Sequence, residues 1–153
     1  VPDPQIYVDA DACPVKDEAI RVAMRHRVSI TLVANQGSRP TRDPMIRYVY
    51  VPYGPDAADD WIVEQVQPGD IVVTADIPLA SRVLEHGGQA IGPSGKRFTT
   101  ESISMALAMR ELKQHLRETG QSRGFNPEFT ARDRSQFLAA LDEAVNRAKR
   151  QGQ

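Results

Sequence analysis

An α/β fold, with a central, mainly parallel sheet and helices on both faces, is what this sequence predicts, and three observations predict it. Short apolar runs alternate with segments of helical periodicity through roughly the first ninety residues, the pattern of strands joined by crossover helices. Two of those runs end abruptly in aspartate, at Asp9 and at Asp76. With 153 residues the chain is long enough for one core, whereas two independent domains would each be marginal.

The elements follow in order. Ile6 to Val8 is a short apolar run closed by Asp9-Ala10-Asp11 and reads as a buried strand. Pro14 suits a first-turn position and opens a helix to about His26, in which Val15, Ala19, Val22 and Ala23 recur at helical spacing. Val28 to Val33 is a second strand. After a loop rich in Pro, Arg and Gly from Asn35 to Pro44, Tyr48 to Val51 is a third, ended by Pro52-Tyr53-Gly54-Pro55. Asp56 is the expected N-cap of a helix reaching Val66, with Pro68-Gly69 as its stop. Ile71 to Thr74 is again a buried strand, closed by Asp76. A helix from about Pro78 to His86 puts Leu79, Val83 and Leu84 on one side and stops at Gly87-Gly88. A weak strand, Gln89 to Ile91, leads to the turn Gly92-Pro93-Ser94-Gly95. A helix from about Thr100 to Glu118 carries Ile103, Leu107 and Leu112. Gly120 to Pro127 is a linker. A last amphipathic helix, about Ala131 to Arg150, puts Phe137, Leu138, Leu141 and Val145 on one face. The organisation expected is one domain over residues 1–153, with the helices at about 100–118 and 131–150 packed on the sheet rather than forming a second core.

Composition narrows the function classes. Acids and bases nearly cancel to a net charge of -1, so the global positive field of a dedicated duplex-DNA binder is missing and any polyanion contact is local. The one cysteine, Cys13, rules out an intramolecular disulfide framework and a Cys-rich zinc site, which suits a reducing, cytoplasmic setting. No run approaches the length of a membrane span, and the first residues lack the pattern of a signal peptide.

In open parallel sheets, ligands bind beyond the carboxyl ends of the strands, where Asp9, Asp11 and Asp76 stand. If the two strands are neighbours, these carboxylates converge, and such a cluster needs protons or a cation to neutralise it. Mg²⁺ or Mn²⁺ is the natural partner for oxygen ligands without a His or Cys set. A third contribution comes from the helix after Asp56. At about 100° per residue, Asp59 lies at the margin of the buried arc of Ala58, Trp61, Ile62 and Val66, while Asp60 points further toward solvent.

Each acid also has a plainer explanation. Asp56, Asp59 and Asp60 all sit at a helix N-terminus, where exposed N–H groups and the dipole favour acids, and for Asp60 that suffices. Asp76 can cap the helix that follows it, and Asp11 can bracket the turn before Pro14. Asp9 has no turn or cap to explain it. Cys13 reads as a small packing residue, because adjacent aspartates oppose a reactive thiolate. His26, His86 and His115 lie singly on separate helices as surface or helix-end residues. Gly92-Pro93-Ser94-Gly95-Lys96 lacks full phosphate-loop spacing and reads as a turn. Arg39, Arg42, Arg47, Arg82, Lys96 and Arg97 could contact phosphates around the acids, although scattered arginines are usually solvated surface.

Val8-Asp9-Ala10-Asp11-Ala12-Cys13-Pro14, Val33-Ala34-Asn35-Gln36, Ala58-Asp59-Asp60-Trp61-Ile62-Val63 and Thr74-Ala75-Asp76-Ile77-Pro78-Leu79-Ala80 together resemble the bacterial YaiI/YqxD family, also called UPF0178. The likeness extends through Ala131-Arg132-Asp133-Arg134 and covers nearly the whole chain. That family in turn resembles the PIN-like nucleases, whose metal-binding acids follow the first strand, a middle helix and a later strand. The resemblance implies a three-layer PIN-like domain, with Asp9, Asp59 or Asp60, and Asp76 in those positions. The chain departs from the nuclease pattern after Asp76, where Ile77-Pro78-Leu79-Ala80 supply no further acid; either Asp11 substitutes or a single metal binds.

Three functions compete. The first is a nuclease dependent on Mg²⁺ or Mn²⁺, with Asp9 and Asp76 as ligands and Asp11 or Asp59 completing the shell or orienting the nucleophile; RNA or single-stranded nucleic acid is its expected partner by family analogy. The second is a phosphatase of haloacid-dehalogenase type using Asp9 as nucleophile. Against it, Cys13 stands where that motif has Thr or Val, and no later lysine-plus-acid pair stands at a strand end. The third is a non-catalytic domain that binds nucleic acid or protein.

Overall fold

The structure is a computed structural model, and it describes residues 3–11, 13–35, 43–52, 54–118 and 129–151. The elements run β1 (Ile6–Asp9), α1 (Lys16–His26), β2 (Ile30–Ala34), β3 (Ile46–Tyr50), α2 (Pro55–Gln65), β4 (Ile71–Val73), α3 (Ile77–Glu85), β5 (Gln89–Ile91), α4 (Thr100–Glu118) and α5 (Ala131–Gln151). The five strands form one sheet in the order β3-β2-β1-β4-β5, and every neighbouring pair is parallel.

Strand alternation divides the interior into two layers. Ile6, Val8, Ile30, Leu32, Ile71, Val73 and Ile91 point to one face and pack with Ala19, Val22 and Ala23 of α1 and Phe137, Leu141 and Val145 of α5. Tyr7, Val33, Val72 and Ala90 point to the other and pack with Ile62 and Val63 of α2, Leu79 and Val83 of α3, and Ile103 of α4. Side chains two apart along a strand share a face, so each strand feeds both layers, as a sheet covered on both sides requires. The expected three-layer α/β arrangement is therefore the observed one.

The differences from the sequence expectation are local. Helix α1 starts at Lys16 rather than Pro14, which lies in the preceding turn with its carbonyl accepting from Arg134. Asp56 is not the cap of α2: Gly54 takes that place at φ 105°, and Pro55 follows in the first turn. Strand β3 begins at Ile46, before the expected Tyr48, because its pairing with β2 extends Ile30↔Ile46 through Ala34↔Tyr50. It is an edge strand and only partly buried, so its apolar signal is weak. The sharpest difference is α4. Ile103 is buried as expected, but Leu107 and Leu112 are 41% and 48% exposed, because α4 packs chiefly on α3 and most of its residues from 100 to 112 stay exposed. Helix α5 does lie on the sheet layer, against α1 and β5. The loop at 36–42 and the linker at 120–127 lie outside the described residues.

Candidate functional site

The strand order fixes where a ligand can sit. The chain steps outward from β1 to β2 and β3, then returns to the other side of β1 to lay down β4 and β5. The crevice between the carboxyl ends of β1 and β4 is therefore the topological switch point, the usual binding place in such sheets. Asp9 is the last residue of β1, and the Val8↔Val73 register brings Thr74 alongside it. The Thr74 hydroxyl donates to Asp9 Oδ2 at 2.9 Å, and the Asp76 N–H donates to the same Thr74 oxygen at 3.0 Å. Asp76 caps α3, its Oδ1 accepting from the Leu79 N–H at 2.9 Å. One short chain of hydrogen bonds thus links the end of β1 to the start of α3.

Alternation turns Asp9 to the same face as Tyr7, the face covered by α2 and α3. Helix α2 is held in rotation by buried Ala58 and Ile62 and by Trp61, which meets Tyr7 edge-to-face at 6.2 Å and 67°. In that orientation Asp59 is half-buried and feels the charges of Asp76 and Asp9. Asp60, one step further round, is 58% exposed and ion-paired with Arg82 at 2.8 Å.

Those electrostatics carry a cost. Burial pushes the Asp9 carboxyl above its ordinary range, the Thr74 hydrogen bond opposes the shift, and the charges of Asp76 and Asp11 add to it. Asp59 is pushed up to about 6, first by burial, then by Asp76, Asp9 and Asp56, with Arg82 opposing. Mutual repulsion on top of desolvation is what gathered carboxylates produce when no cation offsets them. Among the described residues no Lys, Arg or His forms an ion pair with Asp9, Asp59 or Asp76.

Convergence into one coordination shell does not follow. Among the described residues no three Asp, Glu, His or Cys side chains stand as a group that could hold an ion. Each acid also has a donor or cation of its own: Asp11 Oδ2 takes the Asn35 N–H at 2.8 Å, Asp76 Oδ1 is a cap, and Asp60 faces Arg82. The expectation that Asp9, Asp11 and Asp76 together form one shell is corrected accordingly.

The remaining candidates resolve plainly. Cys13 is buried and its thiol is pushed up by burial, so it is a packing residue. His26 ends α1 and its Nε2 lies 2.7 Å from Asp142, while His86 turns Nδ1 to the Arg82 carbonyl. The backbone of His115 lies in α4; its side chain falls outside what is described. The segment from Gly92 to Lys96 is a tight turn, closed by Gly92 N–H to the Lys96 carbonyl at 2.9 Å. Gly95, at φ +90°, lies so close to α5 that a Cβ there would stand 2.6 Å from the Gln136 carbonyl oxygen, which accounts for its glycine without any phosphate. Arg39 and Arg42 lie outside the described residues.

Three features escaped the sequence. Thr74, which orients Asp9, was legible only as the end of a strand. Asp70, at the opposite sheet edge, accepts from the Gln5 and Gln67 N–H groups at 3.0 and 2.9 Å. Thr99 with Ser102, and Thr130 with Asp133, exchange reciprocal bonds at the starts of α4 and α5. Their Thr-x-x-Ser and Thr-x-x-Asp spacing was the available signal.

The comparisons with known proteins agree on family. A family model described as "Uncharacterized BCR, YaiI/YqxD family" matches residues 7–147. The UPF0178 protein mlr0875 of Mesorhizobium japonicum is 60% identical over 148 residues, 97% of this chain and 96% of that one. A UPF0178 protein of Parvibaculum lavamentivorans is 57% identical over 146 residues, covering 95% and 96%, and one of Rhizobium meliloti is 58% identical over 145, covering 95% and 99%. No solved structure matches.

Proposed function

The chain belongs to the YaiI/YqxD family, and from the acids gathered at its sheet edge we propose that it is a divalent-metal-dependent phosphodiesterase that cleaves RNA. The observation that supports this reading is that acids from three different elements act on one another at the switch point of the sheet, the charges of Asp76 and Asp9 raising Asp59, while among the described residues no Lys, Arg or His forms an ion pair with any of the three. The choice of RNA rests on the likeness to PIN-like nucleases.

The donor set suits Mg²⁺ or Mn²⁺. It is all oxygen, and Asp9 Oδ1 and Asp76 Oδ2 accept from no described donor. Mg²⁺ keeps several waters and is commonly held by one or two carboxylates, so two free oxygens are enough and a three-acid cage is not required. When bound, the ion would polarise the phosphoryl group and acidify a water. The chain's own residues divide the rest. The Thr74 hydroxyl fixes one oxygen of Asp9 and leaves the other for an ion. The Leu79 N–H does the same for Asp76. Asp59, raised to about 6, is the group suited to accept the proton of the attacking water near neutral pH. Asp60 and Asp11 stand outside this set, held by Arg82 and the Asn35 N–H.

The test is incubation with labelled single-stranded RNA in Mg²⁺ or Mn²⁺. Internal cleavage that EDTA and Asp9→Asn both abolish supports the reading. Intact RNA, or phosphate found on Asp9 by mass spectrometry, overturns it, the latter in favour of a phosphatase with Asp9 as nucleophile.

A further inference from the structure

Beside the acids, a groove of about 380 Å³ runs between the start of α3, the turn before Arg97 and the first half of α4. Its walls include Ile77, Lys96, Met105, Met109 and Arg110. We propose that this groove seats the strand of a single-stranded nucleic acid next to the bond being cut. The proposal rests on the nuclease reading and names the part of the molecule that holds the substrate.

Position comes first. Ile77, on the groove's wall, directly follows Asp76, and the rest of the lining comes from Lys96 and the first half of α4. Chemistry comes second. Lys96 and Arg110 are exposed, and the side chain of neither forms an ion pair or hydrogen bond with any described residue. Two free cations flanking a cleft suit backbone phosphates, while the acids themselves would repel a polyanion unless neutralised. Between the cations lie Met105 and Met109, 71% and 50% exposed. Large apolar side chains so exposed contribute little to the core. Thioethers are polarizable and adaptable and contact aromatic rings favourably, so they offer nucleobases a surface that does not discriminate among them. The volume lies near the lower end of small-ligand clefts, about 300–1,000 Å³, and so suits an unpaired strand one nucleotide at a time.

The groove and the acids can be tested apart. Fluorescence anisotropy of a short labelled oligouridylate, in EDTA so that no cleavage intervenes, reads the groove. Mn²⁺ calorimetry reads the acids. The double substitution Lys96→Glu and Arg110→Glu should weaken oligonucleotide binding about tenfold or more at low salt and flatten its salt dependence, while Mn²⁺ binding is retained. Met105→Ala with Met109→Ala should weaken binding without changing the salt slope. Oligonucleotide affinity unchanged by the charge reversal overturns the proposal. So does a sedimentation result in which Met105→Glu turns a dimer into a monomer while affinity holds, since the groove is then an interface between copies. Mn²⁺ binding lost in the unsubstituted chain counts against the nuclease reading instead.

Discussion

The two edges of the sheet each carry a buried or half-buried aspartate, and they use it differently. At the amino edge, Asp70 is only 6% exposed, and its two oxygens accept one each from the Gln5 and Gln67 N–H groups. At the carboxyl edge, Asp9 accepts one hydroxyl through one oxygen, and the charges of Asp76 and Asp11 act on it. Burial pushes both carboxyls upward, yet backbone donors oppose the shift at Asp70 while like charges reinforce it at Asp9. A raised carboxyl is therefore not in itself a sign of function. What separates the two is whether the free oxygens are already spoken for, and in this fold the unfilled acids lie at the switch point.

The largest expected contrast is a crossed pair of substitutions. Asp9→Asn should reduce RNA cleavage by well over the roughly 100-fold seen when outer-shell groups of metal sites are removed, and leave thermal stability of the metal-free protein the same or higher. Asp70→Ala strands two backbone N–H groups and should cost about 2–4 kcal/mol, roughly 5–15 °C in melting temperature, with the per-molecule cleavage rate of the folded fraction retained. Calorimetry and a gel assay on both proteins would break the comparison if the two effects did not separate.

Next in size is the response to metal. An ion that binds only the folded state at about 100 times its dissociation constant stabilises it by about 2.7 kcal/mol. Mg²⁺ or Mn²⁺ should raise the melting temperature of the unsubstituted chain and of Asp70→Asn, but not of Asp9→Asn. Equal shifts in all three would place the ion elsewhere.

Asp59 sharpens the contrast through pH. Its folded value of about 6 lies above the ordinary 3.8, so between these the folded state holds more protons than the unfolded one. Stability of the metal-free protein should therefore fall as pH rises through that window, and stay lower above it. Asp59→Asn removes the fall. With solvent screening of this partly exposed group, the gain at pH 7 is about 1 kcal/mol, or roughly 2–4 °C, and it vanishes below about pH 4. Denaturation across the pH range reads it directly. The smallest effect is expected of Thr74→Val, which deletes a hydrogen bond that favours the charged form of Asp9. Metal affinity should drop severalfold at pH 6 and less at pH 8, as calorimetry at the two values would record.

The sheet was readable because its buried strands are nearly continuous apolar runs bounded by Gly, Pro and Asp, and Asp9 stood out because nothing local explains an acid in that place. Asp76 could not be resolved between cap and site from its spacing, and the structure makes it a cap that also faces the acids. Helical phase set Asp59 nearer the buried arc than Asp60, and of the two it is Asp59 that is half-buried. The failures share a cause. The open face of α4 depends on what packs against it, the role of Asp70 on a backbone sixty-five residues away, and the loss of Asp11 from a common shell on the Asn35 N–H across the sheet edge. Local pattern carries none of these.

Manganese anomalous scattering from crystals soaked at millimolar concentration tests the central claim most directly. The account predicts a peak at the carboxyl edge between β1 and β4, bonded at about 2.0–2.2 Å to oxygens of Asp9 and Asp76, with Asp59 close by. No peak there, or a peak confined to another surface, would contradict it.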